Sequence, residues 1–405
     1  MVATRVPVFT AGHCPLTAIR FLTDLRTVAQ AHSAPTAADM NAPDVPGRSW
    51  RWVLVPLGVF AVSRAAIALG VILTLRLRPG LFNEPDLATG QPLVDGLIRW
   101  DGAWFARIAD AGYREPQWTN FFPLFPLLGR LAHELTGLSI PVALLLWSNL
   151  FGLVALLAIY RLFEELEGEQ VARVALCLFA AWPFAFFQAA AYPESLMIAA
   201  TAVAICLAMR GRHLGAGVAL GAGVLARHLS GLAWPSLLVL AMRRKGRGGR
   251  WTRILALLLP IAAVCGYFTF VAMRFGDPLA WLHARSEWGA SAWWGAWSLL
   301  VDPSSRQPHQ VAYVFLSLIP LAGAIALLAV PRWRPLAPFA LSLMAMLWLT
   351  GLAGLGRYSA SCWPAFLPIA FVLARRPAVA WLVIAAFGAL QLLFLHLFAR
   401  LYPIL

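Results

Sequence analysis

The chain has 405 residues, of which 60% are hydrophobic and only 12% charged, with a mean hydropathy of +0.73. That charged fraction is about half of what a soluble domain carries, which excludes an ordinary water-soluble enzyme and leaves no room for a large soluble module beside the apolar runs. The formal charge of +14 comes from 32 basic and 18 acidic residues; in a soluble chain it would point to nucleic acid, but here much of it sits in short loops between apolar runs, where membrane topology accounts for it.

Residues 1–47 are rich in Ala, Thr and Pro and hold no long apolar run. They read as a disordered tail without an evident signal peptide, and Met40 is an alternative start. Residues 48–405 read as one membrane-embedded domain. Apolar runs of membrane-spanning length recur through it. They predict an all-α polytopic bundle of about eleven transmembrane helices, at 52–75, 138–160, 171–190, 194–210, 213–228, 230–242, 251–273, 309–330, 334–352, 358–374 and 378–399. The fifth and sixth are short and form a hairpin broken at RHLSG. The loop after the first span carries two interfacial helices. In the first, DGAWFARIADAG, Trp104, Phe105 and Ile108 take one side and Arg107, Asp110 and Arg114 the other. In the second, PLLGRLAHELTG, Pro126 starts the helix, and Leu127, Leu128, Leu131 and Leu135 make a lipid-facing stripe. Cys177, Cys206, Cys265 and Cys362 lie in apolar segments, Cys14 lies in the tail, and no CxxC occurs; the expectation is neither disulfide nor metal.

Loop charge orients the bundle. RGRH at 210–213, RRKGRGGRWTR at 243–253, PRWRP at 331–335 and ARRP at 374–377 fall on one side if the N-terminus is cytoplasmic. The loop at 161–173, RLFEELEGEQVAR, dissents because it is net acidic. The opposite side collects the large loop after the first span, AAYPES, RHLSG, the long loop before the eighth span and GLGRYS. Unusual polar residues therefore gather on the non-cytoplasmic face.

Asp101, between Trp100 and Gly102, is the leading carboxylate there. It reads equally as an N-cap and as a catalytic base, and the two are compatible. Glu194 follows Tyr192 and Pro193 at the start of a span, where the helix dipole favours it; the functional alternatives are a second base or a partner for a sugar hydroxyl. Arg227, His228 and Arg357 are candidate phosphate ligands, because the guanidinium fork donates two parallel bonds; the plain alternative is snorkelling. Arg64, inside the first span, needs a partner or a cavity. Trp281, Trp288, Trp293, Trp294 and Trp297 read as an aromatic belt or as sugar-stacking rings. His283 and Glu287, four apart, make a poor metal site. Trp100, Tyr192, Glu194, Trp281, His283 and Tyr358 are the candidates for contact with sugar or acceptor. No nucleotide-binding fingerprint is present, so an enzyme on this face would draw its activated donor from the membrane.

RWDGAWFARIADAGY followed by FFPLFPLLGRL resembles the opening motif of the PIG-V-like mannosyltransferases, members of the GT-C group of membrane glycosyltransferases. AAYPESLMIAATAVAICLAMRGRHLGAGVALGAGVLAR, FGDPLAWLHARSEWG and GRYSASCWPAFLPIAFVLAR are similar to their later blocks, in the same order, over about residues 52–375. At ARHLSGL, His228 and Leu229 stand where the family pattern has Thr-Pro. The resemblance implies a GT-C-type bundle and a polyprenyl-phosphate sugar donor, most often mannose. It implies an inverting transfer outside the cytoplasm to a lipid or cell-envelope acceptor, with Asp101 as base, Arg357 with Arg227 or His228 on the leaving phosphate, and no cofactor. A bacterial-type plasma membrane is the expected location. The competing readings are a lipid or glycan flippase, a non-catalytic partner of another transferase, and a transferase for a different lipid-linked sugar.

Overall fold

The computed structural model describes residues 50–77, 87–243, 249–287, 308–350 and 354–402. The helices run α1 Leu54–Leu77, α2 Pro92–Leu97, α3 Asp101–Ala111, α4 Leu124–Thr136, α5 Ile140–Glu167, α6 Glu169–Ala181, α7 Glu194–Met209 and α8 His213–Ala226. They continue as α9 Trp234–Arg243, α10 Arg250–Phe275, α11 Ala280–Glu287, α12 Pro308–Ala326, α13 Ala337–Thr350, α14 Leu355–Ser359, α15 Phe366–Leu373 and α16 Pro377–Ala399. The described residues contain helices and turns and no strand.

Among the described residues four helical stretches are long and apolar enough to cross a membrane alone: Trp50–Arg76, Ile140–Glu167, Arg250–Phe275 and Pro377–Ala399. The count of about eleven spans is therefore not confirmed, and several of the expected runs are cut short as helices for local reasons. The run at 171–190 stops as a helix at Ala181, because Pro183 biases Trp182 out of the helical region. The run at 358–374 is divided by a 3-10 turn, Trp363–Ala365, around Pro364. The hairpin does break at RHLSG: α8 ends at Ala226 and a 3-10 turn, His228–Ala233, precedes α9. At 1.5 Å per residue, a helix such as α7 with 16 residues extends roughly 24 Å, short of the ~30 Å hydrocarbon core. Its side chains are nearly all buried in protein instead of facing lipid.

The segment between α6 and α7 organises the molecule. Trp182 to Tyr192 is irregular yet buried throughout, so its backbone polar groups must find partners inside the protein. Gln391 on α16 donates to the carbonyls of Ala180 and Trp182 at 3.0 and 2.8 Å. Ser195 donates to Gln188 O at 2.6 Å and Ser148 to Tyr192 O at 3.0 Å. Arg64, the arginine within the first span, donates from Nε to Asn149 Oδ1 at 2.7 Å and from Nη2 to Gln188 O at 3.3 Å. The partners that Arg64 requires are thus the Asn149 side chain and this irregular backbone. Phe184, Phe186, Phe187 and Tyr192 seal the segment against Phe394 and Phe398 of α16.

The two expected interfacial helices differ. On α4, Leu127, Leu131 and Leu135 are exposed as a stripe, while Leu128 packs inward against the core. On α3, Phe105 and Ile108 are buried, and Phe105 meets Phe121, Phe125 and Tyr192 edge-on. The apolar side of α3 is therefore covered by protein, not by lipid, because the turn after it and the start of α4 fold Phe121 and Phe125 back over it.

The net acidic loop at 161–173 loses its anomaly in three dimensions. Glu165 pairs with Arg210 at 2.6 Å and with Arg161 at 3.1 Å, and Glu167 pairs with Arg332 at 2.6 Å. Gln170 donates to Ala374 O at 2.9 Å. The loops at 161–173, 210–213, 331–335 and 374–377 meet at one end of the bundle, and the carboxylates of one offset the arginines of its neighbours. Since α7 begins at Glu194 and ends beside Arg210, Glu194 belongs to the other end.

Small residues set the closest helix approach. A Cβ on Gly217 of α8 would lie 2.4 Å from the carbonyl oxygen of Ala256 on α10, whereas one on Gly221 would meet Leu259 O at 3.5 Å, an ordinary contact. We expect Gly217→Ala to force these backbones apart and cost about 1–3 kcal/mol, and Gly221→Ala to be tolerated. Thermal midpoints of the two variants in detergent check this contrast.

Candidate active site

Asp101 is placed by an unusual turn. Gly102 N donates to Arg99 O at 3.1 Å, closing a turn with Trp100 and Asp101 at its centre. Trp100 has φ 58° and ψ −125°, the geometry of the first central residue of a type II′ turn, a position dominated by glycine. A bulky residue there is strained, and such strain concentrates at functional sites. Neighbouring contacts hold it: Tyr192 Oη donates to Arg99 O at 2.8 Å, and Ala191 N donates to Leu97 O at 3.0 Å. The same buried segment that leads into Glu194 therefore clamps the turn that carries Asp101. We expect Trp100→Gly to be more stable than Trp100→Ala by about 1–2 kcal/mol, because both lose the ring but only glycine relieves the backbone; paired thermal melts read the difference.

Helix α3 begins at Asp101 and has Trp100 as its N-cap residue, with no side-chain cap bond. Asp101 is thus the first helical residue and not the cap residue. Its Oδ2 instead pairs with Arg357 Nη1 at 2.5 Å. Glu194 is likewise the first residue of α7, with Pro193 in the N-cap position. Its Oε1 meets Arg357 Nε at 2.5 Å and Arg227 Nη1 at 3.2 Å. Arg227 also donates to the hydroxyl of Tyr358. Rings cover the guanidinium faces: Arg357 lies 4.3 Å from the Tyr192 centroid, and Arg227 lies 4.4 Å from that of Tyr358. Asp101, Arg357, Glu194, Arg227 and Tyr358 form one chain of contacts drawn from four separate parts of the sequence.

Exposure separates the two carboxylates. The Asp101 side chain is 22% exposed and that of Glu194 is 1% exposed. Of the two, Asp101 is the carboxylate open to solvent, and Glu194 is sealed against the two arginines. Both arginines are buried, so snorkelling does not describe them. Arg357 Nη2, Arg227 Nε and Glu194 Oε2 are buried without a hydrogen-bond partner among the described residues.

The remaining candidates sit apart from this chain of contacts. His228 stacks at an angle to Phe122 and Trp281, with centroids 5.5 and 5.7 Å away, in an aromatic wall next to Arg227. Trp281 also packs on Phe268. His283 is exposed and bonds Asp277 Oδ2 at 2.8 Å. Asp277 also accepts from Leu279 N, and that bond, then His283, holds its carboxyl below the usual range. The side chain of Glu287 and Trp288, Trp293, Trp294 and Trp297 lie outside the described residues. Sequence reasoning missed Asn149, Ser148 and Gln391, the polar residues whose side chains hold the 182–193 segment in place. The one available signal was the uncompensated charge of Arg64.

Residues 82–236 match the family model described as Mannosyltransferase (PIG-V). Over this stretch the chain is PIG-V-like. The matched region contains Asp101, Glu194 and Arg227, and Arg357 lies beyond it. GPI alpha-1,6-mannosyltransferase 2 of Rattus norvegicus is 35% identical over 164 residues, covering 35% of this chain and 33% of that protein. Its Mus musculus counterpart is 35% identical over 156 residues, covering 35% and 31%. The chain thus spans about a third of the length of the curated relatives it matches. Among solved structures, ArnT from Cupriavidus metallidurans bound to undecaprenyl phosphate superposes with a TM-score of 0.51 at 16% identity, covering 88% of this chain and 77% of that one. The chain accordingly shares the fold of this structure.

Proposed function

We propose that this PIG-V-like chain is a membrane mannosyltransferase that uses a polyprenyl-phosphate mannose donor. One observation carries the reading: a partly exposed carboxylate, Asp101, is ion-paired to a buried arginine that is itself anchored by a second, sealed carboxylate. In the reaction, Asp101 takes the proton from an acceptor hydroxyl. The hydroxyl oxygen forms a bond to sugar C1 as the C1–O bond to phosphate breaks, and polyprenyl phosphate leaves with the electron pair. One displacement inverts the anomeric centre. Arg357 and Arg227 stabilise the charge that develops on the leaving phosphate. Their unpartnered nitrogens supply the donors for it.

The proposed face is the non-cytoplasmic one. The arginine-rich loops gather at the end opposite Glu194, and the positive-inside rule places such loops in the cytoplasm. The acceptor is a lipid or cell-envelope hydroxyl. The test is transfer from radiolabelled polyprenyl-phosphate mannose by the purified chain in liposomes, beside a panel of other polyprenyl-phosphate sugars. Mannose transfer is the expected result. Transbilayer movement of the labelled donor without any transfer would replace this reading with a flippase.

A further inference from the structure

The three nitrogens of Arg357 meet unlike surroundings. Nε pairs with Glu194 at 2.5 Å, Nη1 pairs with Asp101 at 2.5 Å, and Nη2 is buried without a hydrogen-bond partner among the described residues. The Glu194 contact is the fixed one. That side chain is 1% exposed and is shared with Arg227, and removing it would leave two guanidinium groups unpaired in a low-dielectric interior. The Asp101 contact is the movable one, since its carboxylate reaches solvent and can be rehydrated. Tyr192 and Tyr358 lie 4.3 and 5.2 Å from the guanidinium and hold its plane. The Nη1–Nη2 edge is therefore a two-pronged donor with one prong occupied, and two parallel N–H donors suit a pair of phosphate oxygens. Charge points the same way. Asp101 and Glu194 already balance Arg227 and Arg357, so an added phosphate either stands in excess or takes a carboxylate's place.

We infer that Asp101 and the donor phosphate compete for this edge of Arg357, so that binding of the donor unlatches the base. Glu194 is the positioning residue that keeps the guanidinium in place through the exchange. The inference rests on the proposed use of a polyprenyl-phosphate donor. Before donor binds, the Asp101 carboxylate is spent on an ion pair. Once the phosphate takes the Nη edge, that carboxylate has lost its donor and is left to accept a hydroxyl proton. Donor binds first and acceptor second.

The test is equilibrium binding of a short-chain polyprenyl monophosphate to the purified protein in detergent. Asp101→Asn takes the charge from the competitor while leaving a neutral oxygen, and is expected to tighten binding about tenfold; Asp101→Ser, which withdraws the carboxylate altogether, gives the same direction by a second route should the first variant fold poorly. Arg357→Gln is expected to weaken binding at least tenfold. If both Asp101 variants bind no more tightly than the native chain while Arg357→Gln binds weakly, the competition is refuted and the donor reading stands. If the native chain binds no polyprenyl phosphate and transfers no sugar, the donor reading falls and this inference falls with it.

Discussion

Asp101→Asn is expected to reduce mannose transfer from polyprenyl-phosphate mannose by about 100-fold or more, the lower range of what a positioned general base contributes, while protein level and melting behaviour stay close to native. The amide keeps the shape and retains an oxygen for Arg357 Nη1, so the fold has little reason to respond. It cannot accept the hydroxyl proton. The native chain and the variant are compared in the same membranes, with acceptor saturating, so that loss of the chemical step is read in kcat. Equal transfer by the two would remove Asp101 from the chemistry. The helix-capping account offers no rescue of a structural role, because Trp100 and not Asp101 holds the N-cap position.

Glu194→Ala is expected to be the most damaging single change to stability. It strips the buried Arg357 Nε and Arg227 Nη1 of their shared acceptor. Breaking a buried ion pair by removing one partner costs about 3–5 kcal/mol. Glu194→Gln keeps an acceptor oxygen and is expected to fall between native and Ala in thermal midpoint, measured in detergent at one scan rate. Transfer by the Gln variant is expected to drop more than its stability does, since Arg357 keeps its place but the charge balance around it changes. A midpoint for Glu194→Ala indistinguishable from native would mean that the arginines find other partners and that the anchor role is wrong.

Much of the site was legible before any coordinates. Asp101, Glu194, Arg227 and Arg357 stand out because a charge in an apolar context has to be compensated, and the grouping of loops placed them on one face. Their roles were less legible. Glu194 at a helix start reads as a dipole partner, and only its contacts with two arginines make it an anchor. Arg227 and Arg357 read as free phosphate ligands, yet both are already engaged. Trp281 and His283 read as sugar contacts from the tryptophan-rich loop that carries them; in the fold Trp281 joins an aromatic wall and His283 lies exposed beside Asp277.

What the amino-acid string determined by itself was solvent and punctuation. Apolar run length and scarce charge placed the chain in a bilayer. The break at RHLSG followed from polar residues within an apolar hairpin, and the surviving leucine stripe of α4 from helical periodicity. The tertiary structure alone decided which apolar runs face lipid and which are wrapped in protein, because hydrophobicity is non-directional and both environments satisfy it equally. It alone brought Arg357 to Asp101 across 256 positions and to Glu194 across 163. Local propensity and spacing reach a few residues along the chain, whereas an ion pair is set by the packing that carries distant segments together.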